Sequence, residues 1–348
     1  MFLDRAAYLP ALLKSDDEEG CWVNSAKYKG WSAASGSMRS DGLAACFVAS
    51  ISGLAQITGI ALLLFPELAA LSFDIFRRPH GAWAKAPILL VVTPFLTGLM
   101  GTVVARYLPY GLTSVLIIVF LAILIVRALR SPIVPAVAAG LLPLIIGQTS
   151  WWYAPSLLIG TSMLAGISVI RQRLYPLPED PQGSTAAGMT ALRHSAGDFS
   201  WVPFFTAFLA VSAGVGVFTG ERLFLLPPLV VVALEIFAHF ETCPWVKRPF
   251  QIPVVCGLSA LSSVAIISWM GTGPLAICFA MIAVVIIVRV FTLHFPPAIA
   301  VAILPFIMPH FDFRYPAVVV SSSILLMLAF FLWRRSVWRR EKRSRVNE

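Results

Sequence analysis

The feature that most constrains this chain is that it repeats itself. Laid on itself at an offset of 161 residues, Phe47 meets Phe208, Gly53 meets Gly214, Thr58-Gly59 meets Thr219-Gly220, and Pro66 meets Pro227. Asp74 faces Glu235 in the same register, beside Ile75-Phe76 on Ile236-Phe237. One inserted residue moves the offset to 162, and there Trp83 meets Trp245, Lys85 meets Lys247, Pro87 meets Pro249 and Arg127 meets Arg289. Pro135-Ala136 then falls on Pro297-Ala298, Leu142-Pro143 on Leu304-Pro305 and Tyr153 on Tyr315. Apolar composition alone matches Leu to Leu, but it does not align Arg, Lys, Trp and Pro in one register. Self-similarity of this kind means two copies of one structural unit.

Each copy reads as six apolar segments. They lie near 42–58, 61–76, 87–107, 112–129, 132–147 and 153–170, and again near 201–219, 223–238, 250–270, 274–291, 295–309 and 316–333. Of the 348 residues 58% are hydrophobic and 12% charged, about half the charge of a soluble protein. That excludes a soluble enzyme, a disordered chain and a secreted disulfide scaffold. The expected fold is an all-α polytopic membrane bundle. Residues 1–42 read as a cytoplasmic polar tail, 43–173 as the first membrane repeat, 174–200 as a Pro-, Gly- and Ser-rich linker, 201–334 as the second repeat and 335–348 as a basic cytoplasmic tail. The third, fourth and sixth segments are long enough to span a hydrocarbon core about 30 Å thick. The second and fifth are short and punctured by proline (Pro66, Pro227-Pro228; Pro132, Pro135, Pro143; Pro296, Pro297, Pro305). Broken backbone survives at membrane depth only where protein or a water-lined cavity satisfies its polar groups, so short, broken or re-entrant helices are expected there.

Charge placement sets an orientation. With the N-terminus cytoplasmic and six crossings per copy, inner loops receive Arg77, Arg78, Lys85, Arg127, Arg130, Arg171, Arg173, Arg193, Lys247, Arg248, Arg289 and the basic C-terminus. Outer loops receive Arg106, Arg222 and Arg314, the asymmetry the positive-inside rule asks for. An even crossing number makes the copies parallel and both termini cytoplasmic, the expected arrangement in an inner membrane; one re-entrant segment per copy would instead give five crossings and inverted copies. Trp83, Tyr107, Tyr110, Trp151-Trp152-Tyr153, Trp245, Trp269, Trp333 and Trp338 fall at segment ends, as interfacial belts do. Seven of the 26 Lys and Arg lie between Arg334 and Arg345. That run fits orientation or anionic lipid rather than nucleic acid.

Candidate functional residues come from the broken segments. Proline at a first helical position leaves free N–H groups that favour an anion, which singles out Pro135-Ala136 and Pro297-Ala298. Arg127 and Arg289, a duplicated pair near the inner end of the fourth segment, are the candidate counter-charges; the bland alternative is snorkelling to headgroups. Asp74 and Glu235 form a matched acidic pair, which ion pairing with Arg77-Arg78 or Lys247-Arg248 explains without transport. Glu67 stands alone in LLLFPELAAL, opposite Pro228, and is a proton-coupling candidate. The five cysteines share no CxxC, the histidines show no ligand spacing, and no catalytic or nucleotide motif appears. No enzyme, metal or cofactor is expected.

The second copy reads Thr219-Gly220, Pro227, Pro249 and then His294-Phe295-Pro296-Pro297-Ala298-Ile299-Ala300; the first reads Thr58-Gly59, Pro66, Pro87 and then Ser131-Pro132-Ile133-Val134-Pro135-Ala136. This pattern resembles the HPP family of integral membrane proteins, with its His-Pro-Pro-Ala-Gly-Ala motif after a transmembrane helix. The chain looks like a tandem HPP pair over about 43–171 and 201–333. Phe295 separates His294 from the diproline, and the first copy has no histidine there. Members of that family are considered transporters, some moving nitrite, so the resemblance implies a carrier or channel for a small anion. The substrate-binding candidates are Arg127, Arg289, Pro135, Pro297, Ala136 and Ala298. The gating or proton-coupling candidates are Glu67, Asp74, Glu235 and His294, with Thr58 and Thr219 of the repeated Thr-Gly. The rival reading is a non-transporting scaffold whose tails recruit partners or lipid.

Overall fold

A computed structural model of the chain describes residues 38–174, 200–240, 243–308 and 313–346, with side chains up to residue 337. Most of the N-terminal tail, most of the linker and the side chains at the end of the basic tail lie outside the described residues. The described residues belong to one unit, Ala33–Glu348.

Among these residues the chain is all-helical. The first half carries α1 (Met38–Thr58), α2 (Pro66–Arg77), α3 (Pro87–Tyr107), α4 (Leu112–Ala128), α5 (Ala136–Ile146) and α6 (Tyr153–Leu174). The second carries α7 (Val202–Thr219), α8 (Pro227–Ala238), α9 (Gln251–Met270), α10 (Pro274–Val290), α11 (Pro296–Ile303) and α12 (Tyr315–Val346). Six of these, α1, α3, α6, α7, α9 and α12, are long and apolar enough to cross a membrane. The fourth segments, α4 and α10, have 17 residues each, the short limit for a spanning helix. Helix α12 continues through Val346, so the backbone of the basic stretch from Arg334 prolongs the last apolar helix.

Local chemistry sets the boundaries. Proline opens α2, α3, α8, α10 and α11, where its missing N–H has no intrahelical partner to lose. Gly59 and Gly220, at φ 72° and 75°, turn the chain left-handed after α1 and α7. The Thr58 hydroxyl donates to the Leu54 carbonyl and Thr219 to Val215, both at 2.7 Å. After α4 and α10 the chain closes on itself identically: Ser131 N donates to Val126 O and Leu293 N to Val288 O, both at 2.9 Å. Non-glycine residues hold the left-handed positions of these closures, Arg130 at φ 50° and Thr292 at φ 51°.

The short helices occupy the centre. Every residue of α2 and α11 is buried, all but one of α5 and all but two of α8. Each follows an irregular lead-in that is itself largely inside: Leu63–Phe65 before α2, Ser131, Ile133 and Val134 before α5, Leu225–Leu226 before α8 and Leu293–Phe295 before α11. Packing crosses between the halves, with α2 against α11 and α5 against α8, while α1 packs on α10 and α4 on α7. Within the first half α3 packs on α5 and α6; within the second α9 packs on α10, α11 and α12. Small residues permit the closest approaches. A Cβ added at Gly101 of α3 falls 1.8 Å from the Gly140 carbonyl oxygen of α5, whereas one at Gly214 of α7 meets nothing within 4 Å.

The aromatic positions divide. Tyr107, Trp151, Trp152 and Trp269 are exposed, with Trp269 at 90%. Tyr153, Trp245 and Trp333 are buried, so these three are internal groups and not members of an interfacial belt. In the sequence both kinds stand at segment ends, and only the helix face separates them.

Gly101→Ala is therefore expected to destabilise the protein by about 1–3 kcal/mol through overpacking, and Gly214→Ala to leave it unchanged or slightly firmer. Thermal unfolding of the two purified variants in detergent checks the difference.

Candidate functional site

Indole donors hold the lead-ins of α5 and α11, and phenol donors hold the two helices themselves, each kind placed 162 residues apart. Trp83 Nε1 donates to the Pro132 carbonyl and Trp245 Nε1 to the His294 carbonyl, each at 2.9 Å. The Tyr153 hydroxyl donates to Ala139 O at 2.7 Å, and Tyr315 to Val301 O at 2.6 Å. Ser131, buried ahead of α5, accepts from Ile133 N at 3.2 Å and from the Thr93 hydroxyl at 2.8 Å. Carbonyls that proline or irregular backbone leaves without a helical partner are thus satisfied by side chains, as an apolar interior requires.

Where α2 ends and α11 begins, a charged network closes one end of the bundle. Asp41, in the first turn of α1, takes a two-pronged bond from Arg77, Nε to Oδ1 at 2.5 Å and Nη2 to Oδ2 at 2.9 Å. Arg289, in the last turn of α10, donates to the same carboxylate through Nε at 2.9 Å and through Nη2. Beside it Asp74 accepts from Arg78 and from His294, whose Nε2 lies 2.6 Å from Oδ1. The Phe73 ring joins the two groups, stacked on the His294 imidazole at 5.5 Å and lying 4.2 Å from the Arg77 guanidinium. Asp41, Asp74, Arg77 and His294 are all buried; the Arg289 side chain keeps 36% of its exposure. Two carboxylates and three guanidiniums from α1, α2 and α10 are thereby locked together with the imidazole that precedes α11.

The equivalent junction of α8 with α5 is nearly stripped of charge. At the positions matching Asp41, Arg77 and His294 stand Val202, Ala238 and Pro132. Glu235, the partner of Asp74 in the repeat, bonds His239 at 2.9 Å, one turn along its own helix, and not Lys247-Arg248. Arg127 is exposed at the end of α4. The two aligned arginines therefore sit in unlike surroundings: among the described residues Arg289 faces an acid, Asp41, and Arg127 faces none.

The remaining candidates are dispersed. Pro135 precedes the first turn of α5 and Pro297 lies in the first turn of α11, each followed by a buried alanine, Ala136 or Ala298, inside the bundle. Thr58 and Thr219 use their hydroxyls on their own helix ends. Glu67 lies at the far end of α2 from Asp74, 2% exposed, with neither carboxylate oxygen hydrogen-bonded. Sequence reading did not find Asp41, which falls at the edge of a polar stretch. Its only signal is an acid in a first helical turn, and nothing in the sequence says that α1 reaches α10 across the repeat.

At the opposite end Arg106 donates to Thr149 O at 2.9 Å and lies 5.2 Å from the Trp151 ring, while Arg222 stacks 5.4 Å from Tyr110. Compared with protein-family models, curated proteins and solved structures, the chain finds no match.

Asp41→Asn leaves two guanidiniums facing a neutral amide, one of them buried, and is expected to cost about 3 kcal/mol. Arg289→Ala, from a partly exposed pair, costs roughly 1 kcal/mol, and Arg127→Ala stays within about 0.5 kcal/mol. Chemical denaturation of the three variants in one detergent checks that ranking.

Proposed function

We propose that the chain is an integral membrane transporter or channel for a small, anionic solute, built from two parallel copies of one six-helix unit, with its pathway between them. The observation that carries this reading is the crossed pairing at the centre. Four short helices with proline at or just before their starts, each behind an irregular buried lead-in, meet as α2 on α11 and α5 on α8. Paired interrupted helices at corresponding places in two repeats are the sequence and structural mark of a transport site. Support for the duplication comes from the matched Trp–carbonyl, Tyr–carbonyl and helix-closing bonds described above, all in the 162-residue register.

Running the same way, the halves leave the loops that follow α2, α4, α8 and α10 at the end that holds the charged network, joined there by Trp83–Pro132, Trp245–His294 and Asp74–His294. Arg77, Arg78, Lys85, Arg127, Arg130, Lys247, Arg248 and Arg289 belong to that end, which makes it the cytoplasmic side of an inner-membrane protein. Both termini are then cytoplasmic. The network acts as the closed inner gate, because it ties α1 and α2 of one copy to α10 and α11 of the other. Its surplus of guanidinium over carboxylate, with Arg289 partly open to solvent, attracts an anion to the mouth. Pro135-Ala136 and Pro297-Ala298 mark helix starts where an anion meets free N–H groups. The resemblance to the HPP family points to nitrite as the first solute to try. The protein acts as a carrier or pore, without catalysis.

The test is flux. In liposomes holding the full chain, nitrite or nitrate is expected to move faster than in protein-free liposomes. Arg289→Ala is expected to lower the rate roughly tenfold, the effect of about 1.4 kcal/mol, while removal of residues 335–348 leaves it standing. Equal rates with and without wild-type protein would end the transport reading.

A further inference from the structure

The network accounts for the inner end of α2, but not for Glu67 at its outer end. Glu67 is the second residue of α2, 2% exposed, and both its oxygens lack a hydrogen-bond partner. Its neighbours along the chain, Leu63, Leu64, Phe65 and Leu68, are apolar and buried. An ionised carboxylate with neither hydrogen bond nor counter-charge is among the costliest groups to bury, whereas a carboxylic acid is a neutral polar group.

The helices packed on α2 supply no cation at that level. Neither α5 (AVAAGLLPLII) nor α11 (PPAIAVAI) contains a titratable side chain. On α1, Arg39 and Asp41 stand in the first turns, beside the other end of α2, and Cys46 is exposed. On α6, Arg171 lies at that same far end, bonded to the Phe76 carbonyl at 2.7 Å. What α6 brings near Glu67 is Tyr153, whose hydroxyl already donates to Ala139 O. In the other half Pro228 replaces the acid, so repeat packing does not require a carboxylate here.

We infer that Glu67 is a proton-binding site, a carboxyl group that carries a proton in the closed bundle and exchanges it through the lead-in that covers it. Only Leu62–Pro66 separate it from Ala61, which is exposed at the end of the bundle opposite the charged network. Opening of that lead-in brings water to Glu67 from the outer side. The function of the site rests on the transport reading, in which this proton accompanies the anion; its existence does not.

Infrared difference spectroscopy of the full chain in lipid at neutral pH, wild type minus Glu67→Gln, tests it. The expected result is a carbonyl stretch of a protonated carboxylic acid that Glu67→Gln lacks. It shifts in heavy water and disappears as the pH is raised. Glu67→Asp keeps the band at a changed frequency, which covers the case in which the amide variant does not fold. A carboxylate signal from Glu67 at neutral pH overturns the proton site whatever the flux measurement gives. Absent flux with the acid band present ends the transport reading alone.

Discussion

Everything in this molecule depends on satisfying backbone that is neither helical nor wet. Four lead-ins run through the interior of an apolar bundle, and each brings carbonyl and amide groups that an unassisted hydrocarbon setting does not tolerate. Indole donors meet part of that need, Trp83 and Trp245 on the carbonyls of Pro132 and His294, while phenol donors, Tyr153 and Tyr315, take the carbonyls of Ala139 and Val301, which Pro143 and Pro305 leave without a helical partner. These aromatic side chains supply one polar atom on a large apolar body, the combination a dry interior accepts best. The proline-started helices they serve carry part of the contact between the halves, α2 on α11 and α5 on α8, beside α1 on α10 and α4 on α7.

The two halves of the chain share this pattern of bonds, 162 residues apart, and differ in charge. One junction holds Asp41, Asp74, Arg77, Arg289 and His294; at the other the matching positions are Val202, Glu235, Ala238, Arg127 and Pro132. A buried ion network seldom adds net stability over an apolar replacement, but it is intolerant of partial assembly. Concentrating it at one of two equivalent places makes that place all-or-none. At the junction of α8 with α5 the Glu235 carboxylate bonds His239, just past the end of its own helix, rather than a residue of another helix.

Much of the architecture could be read from the chain itself. The register of proline, arginine and tryptophan located the six segments of each half, and prolines 66, 227, 135 and 297 marked the short helices to within a residue of their starts. The crossed contacts could not be read, since pairing α2 with α11 or with α5 leaves the same periodicity in the sequence. Asp41 was hidden for that reason. Tyr153 and Trp245 look like headgroup anchors until the helix face is known. Glu67 stood out because an acid beside proline in an apolar run has no local explanation, and the structure brings it none.

Helix α12 has a mechanical consequence. Its 32 residues extend about 48 Å at 1.5 Å per residue, well beyond a hydrocarbon layer of about 30 Å. The cationic end is therefore a stiff lever rooted in the bundle, its other half leaning on α9. Whatever grips that lever outside the lipid pulls on the interior with little slack.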